Sequence, residues 1–61
     1  MTATMSQREF NIMGGQSKAL YVYQLAQLYE PSVIAKKYDL RLYEVNAMTN
    51  NGAEIWEKNY G

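Results

Sequence analysis

Residues Ile34 to Val45 read IAKKYDLRLYEV, and the way this stretch is parsed decides the organisation of the whole 61-residue chain. Ile34, Ala35 and Tyr38 fall on one face of a helix, with Lys36 and Lys37 more exposed. Asp39 interrupts that pattern, Leu40 supplies a hydrophobe at once, and Val45 and Met48 resume a helical spacing. Two helices over about 31–38 and 41–49, joined by a tight turn, account for the order. The small Ala35 lets the helices cross closely, and Leu40, Val45 and Met48 hold the second against the first.

Upstream, Pro31 has no backbone donor to lose at the first position of a helix, so Glu30-Pro31 reads as a break and restart. The segment before it, SKALYVYQLAQLYE from Ser17 to Glu30, carries the strongest helical pattern in the chain. Ser17 is its expected N-cap, and a helix over 17–29 is expected to be the longest. Tyr21, Leu25, Leu28 and Tyr29 form its apolar stripe, widened by Val22. Gln24 and Gln27 fall on the other side, and so do Leu20 and Tyr23, which a purely solvated face does not need. Earlier still, Ser6 and Glu9 have the spacing of a capping box, predicting a short helix over about 6–13 with Phe10 and Met13 inward. Gly14-Gly15 is expected to end it by entering left-handed backbone. Residues 1–5 show no periodicity and are expected to be disordered.

Downstream, Asn50-Asn51-Gly52 is expected to close the helix that starts near Arg41, since Asn and Gly tolerate positive φ. Ile55 and Trp56 would then contribute from a short helix or an extended tail. Asn51-Gly52 is also a strong hairpin signal, with Tyr43, Val45 and Ala47 alternating before it. Ala47, Ala53 and Glu54 are poor strand residues, which favours the helix. The expected fold is all-α: a single small domain over 1–61 built as a bundle of about four short helices.

Composition bounds the chemistry. Cys 0 and His 0 remove disulfides, the usual metal ligands and the commonest general base, so neither metal nor cofactor is expected. The carboxylates Glu30, Asp39, Glu44, Glu54 and Glu57 lack the concave site that catalysis needs, and Gly14-Gly15 lacks the spacing and lysine of a phosphate-binding loop, so the chain does not read as an enzyme. No run approaches the roughly 20 apolar residues of a bilayer span, and the N-terminus has no signal-peptide pattern; a cytoplasmic protein that binds no membrane is expected. Six basic residues cancel six acidic ones, which disfavours tight non-specific binding of nucleic acid. Six tyrosines and one tryptophan are a heavy aromatic load for so short a chain. They suit a small core, a partner surface, or a homodimer that buries more surface than one copy can.

By the pattern of Ala35, Asp39, Leu40, Val45 and Met48, residues 31–50 resemble the helix-turn-helix family of DNA-binding proteins, with Asp39 standing where that family usually has glycine. The resemblance implies that the helix beginning near Arg41 is a recognition helix in the major groove. Arg41, Tyr43, Glu44 and Asn46 would be its outward polar residues: arginine suits guanine, asparagine adenine, and glutamate the cytosine amino group. Ser32, Lys36 and Lys37 would contact phosphates. The implied function is a small DNA-binding transcriptional regulator, of a size often found in viruses and mobile elements, acting as a homodimer on a palindromic site. The alternative is a protein-binding adaptor or inhibitor of a larger machine, using exposed tyrosines, Leu42 and Trp56.

Overall fold

The fold is all-α. A computed structural model describes residues 5–61, and within them the elements run α1 (Gln7–Ile12), α2 (Gly15–Leu25), α3 (Pro31–Lys37) and α4 (Leu42–Tyr60), with no strand among the described residues. Four helices were expected, and four form. Residues 1–4, the greater part of the expected disordered end, lie outside the described residues. Met5 does not fit that expectation, because both of its backbone polar groups are hydrogen-bonded to tyrosines of the core.

α1 begins as the Ser6/Glu9 pattern predicts. The Ser6 hydroxyl accepts from the Glu9 amide at 3.2 Å, and the Glu9 carboxylate accepts from the Ser6 amide at 3.4 Å. Met5, just before the cap, packs on the core near the buried Phe10, the pair of positions that forms a hydrophobic staple. The two glycines act differently from expectation. Neither has positive φ; Met13 ends α1 in extended backbone, and Gly14, also extended, is the N-cap of α2. Gly14 rather than Ser17 therefore starts the second helix.

α2 stops at Leu25, short of the expected 29, and its last turn loosens through Ala26–Leu28. Val22 and Leu25 are buried as the stripe requires, and Tyr21 and Tyr29 are half-buried. Leu28, beyond the helix end, is turned out to solvent at 76% exposure. Pro31 occupies the first turn of α3, with Glu30 as its extended N-cap.

The largest departure is α4. The expected stop at Asn50-Asn51-Gly52 is overridden, and one helix of 19 residues continues to Tyr60, excluding the hairpin and making α4 the longest element. The cause is packing at Gly52, which is buried against α2. A Cβ added there would collide with the Ala19 carbonyl oxygen and approach the Tyr23 Cβ to 2.6 Å. Glycine is thus the residue that lets α4 lie directly on α2, and these two helices form the main interface of the molecule. Ala19, 1% exposed, is the matching small residue on α2.

Phe10, Val22, Leu25, Ile34, Tyr38 and Val45 make the buried core, with Ala35, Leu40 and Met48 packed against it. The Tyr38 ring stacks on Phe10 with centroids 4.4 Å apart and meets Tyr21 edge-on at 5.9 Å. Their hydroxyls close a directional ring of hydrogen bonds. Tyr38 donates to the Met5 carbonyl at 2.8 Å, and the Met5 amide donates to the Tyr21 oxygen at 3.1 Å. The Tyr21 proton is then left to donate to the Tyr38 oxygen at 2.8 Å. A buried phenol and a half-buried one are accommodated in this way without stranding a buried polar atom.

Candidate nucleic-acid interface

The turn between α3 and α4 is built by one residue in an unusual conformation. Asp39 has φ 53°, the only positive value among the described non-glycine residues, and this left-handed step reverses the chain at the end of α3. The Leu40 amide then reaches back to the Ala35 carbonyl at 2.8 Å, the six-to-one bond of a Schellman ending. Asp is among the few side-chain-bearing residues that visit this region. The Gln7 side-chain Nε2 donates to the Tyr38 carbonyl at 2.7 Å, satisfying a further acceptor at the same helix end.

α4 opens with an extended Arg41 as N-cap, whose amide donates to the Glu44 carboxylate at 2.9 Å. Leu40 and Val45 flank that cap in staple positions, Val45 in the core and Leu40 packed against it. Ile34 of α3, Tyr38 at its C-cap and Val45 of α4 are each at most 1% exposed, so the start of α4 is clamped to α3 from below. The upper face is left to solvent.

Ser32, Lys36 and Lys37 on α3 are exposed, as are Arg41 at the N-cap of α4 and Tyr43 and Asn46 within it, so residues 32–46 carry all six. Lys37 is partly engaged: its ammonium lies 5.9 Å from the centroid of the Tyr38 ring, a cation–π distance. Glu44 differs from the others. It is half-buried, and one of its carboxylate oxygens caps α4 by accepting from the Arg41 amide, which leaves the second oxygen as an acceptor held at the helix start. Sequence reasoning read its charge; the three-residue spacing from Arg41 was the signal of its structural use.

A second surface lies along the other half of α4. Trp56 sits 4.5 Å from Tyr60 and 6.1 Å from Tyr23, ring centroid to centroid. Tyr23, Gln24, Gln27, Leu28 and Trp56 line a shallow open groove between α2 and α4. Here the surplus Tyr23 of the α2 sequence finds its neighbour, a residue of α4 that the expected helix stop had removed from view.

No cluster of three or more potential metal-ligating His, Cys, Asp or Glu side chains occurs among the described residues, and no described helix is long and apolar enough to cross a membrane. No family model, curated protein or solved structure matches this chain.

Proposed function

We propose that this chain is a small DNA-binding transcriptional regulator that lays the first turns of α4 in the major groove. The observation that carries the reading is the turn: left-handed Asp39 and the Leu40-to-Ala35 bond set α4 against α3, with its opening turns facing solvent. The α3 lysines and Ser32 then flank the groove as phosphate contacts, and Arg41 and Asn46 reach base edges. Lys36, Lys37 and Arg41 against Asp39 and Glu44 leave the unit at a net +1, so affinity for arbitrary duplex is low and association as a homodimer on a palindromic site supplies what one copy lacks.

Gel-shift titrations at two salt concentrations test this. Arg41→Ala is expected to cost about 1–3 kcal/mol on a specific site and to relax its preference. Lys36→Ala is expected to weaken all sequences alike and to reduce the salt slope by about 1. If the wild type binds no duplex at low salt, the reading fails. The competing reading, a protein-binding adaptor, draws on Trp56 at 39% exposure and Tyr60 at 70% beside the groove. It predicts that a partner captured from native extract survives nuclease treatment.

A further inference from the structure

The solvent face of the first turns of α4 has a selective chemistry. Leu42, Tyr43, Asn46, Ala47 and Asn50 are all exposed, Leu42 at 53% and Tyr43 at 69%. Leu42 and Asn46 stand four residues apart, as do Asn46 and Asn50, so they form a continuous row on the helix surface. Between Leu42 and Asn51 the only ionisable group besides the Tyr43 phenol is Glu44, and its carboxylate is bound to the Arg41 amide. The row therefore offers amides and alkyl groups; the nearest cation, Arg41, stands before it at the N-cap, and the Glu44 carboxylate has one oxygen engaged by the Arg41 amide.

We infer that this row selects A·T base pairs where it meets the groove, with the Asn46 amide on adenine and the exposed Leu42 side chain on a neighbouring thymine methyl. The inference rests on the DNA-binding reading proposed above. The major-groove edge of adenine presents N7 as acceptor and the N6 amino group as donor, a pair that one asparagine amide matches bidentately. Thymine presents a methyl group, which rewards an alkyl contact and nothing polar. An apolar Leu42 at the start of a solvated helix, otherwise without a packing reason for its exposed half, acquires one in this contact. Ala47 is small enough to let the helix approach, and Asn50 extends the same amide chemistry one turn further.

The test starts from a pool of random-sequence duplexes, selected for binding to the full chain at low salt. Each half-site of the selected sequence is expected to hold an A·T step. Replacing that thymine in one half-site with deoxyuridine, which lacks only the methyl, should weaken wild-type binding about fourfold, the worth of one buried carbon. Leu42→Ala should bind both versions alike. Replacing the adenine with 7-deazaadenine should weaken the wild type by about fivefold or more and leave Asn46→Ala unmoved. Both substituted residues are exposed, and unchanged circular dichroism would establish that the variants fold. Half-sites that lack an A·T step, or wild-type binding indifferent to deoxyuridine and 7-deazaadenine, overturn the inference and leave DNA binding standing. Failure to select any duplex overturns both.

Discussion

Gly52 and Asp39 are the two residues whose backbone environment the rest of the molecule depends on. At Gly52 a side chain would meet the backbone carbonyl of Ala19, which no rotamer change can move aside. Gly52→Ala gains about 1 kcal/mol of helix propensity, yet the enforced separation of α2 and α4 should leave the protein less stable by about 2 kcal/mol net. Urea unfolding checks this, and a midpoint equal to or above wild type would contradict so close a crossing. At Asp39 the strain runs the other way. Asp39→Gly should raise stability by about 0.5 kcal/mol by relieving the left-handed backbone, while Asp39→Val should lower it by more than about 1 kcal/mol. Thermal melts of the pair would read the difference. Both positions were visible in the sequence as punctuation. Asp39 reads as a turn and is one, whereas Gly52 reads as a stop and is not, because the same residue that breaks a lone helix also permits two helices to touch.

The helices divide by how far their ends were written locally. α1 and α3 begin where the Ser6/Glu9 box and Pro31 place them, since caps and proline act within one turn. α4 is held by contacts from distant parts of the chain. Asn46, Thr49, Asn50, Asn51, Gly52 and Asn59 are weak helix formers, and isolated helices of this length are marginal even with good ones. A peptide of residues 42–60 alone should therefore give a mostly unfolded circular dichroism spectrum in water, and substantial helicity would show that α4 needs no partner. The candidate interface was legible in part for the same reason. Exposure of Ser32, Lys36, Lys37, Arg41, Tyr43 and Asn46 follows from helical period, whereas the groove at Tyr23 and Trp56 depends on the continuation past Gly52 that no local signal announces.

Across the whole molecule, the hydrogen-bonded ring of Met5, Tyr21 and Tyr38 ties the chain before α1 to α2 and to the end of α3. Tyr21→Phe and Tyr38→Phe should each cost about 1 kcal/mol, and the double variant less than their sum by about 0.5 kcal/mol or more, because either change opens the same ring. Strict additivity in a double-mutant cycle would mean that the hydroxyls act separately. The position of Trp56 also gives the protein two optically distinct ends. It is the one indole in the chain, flanked by Tyr23 and Tyr60, and about 21 Å along α4 from Leu42 at the rise of an α-helix. Energy absorbed by the tyrosines drains to it, and the colour of its emission is set by the water beside the groove. A ligand seated at the start of α4 leaves that colour unchanged, and an occupant of the groove turns it bluer.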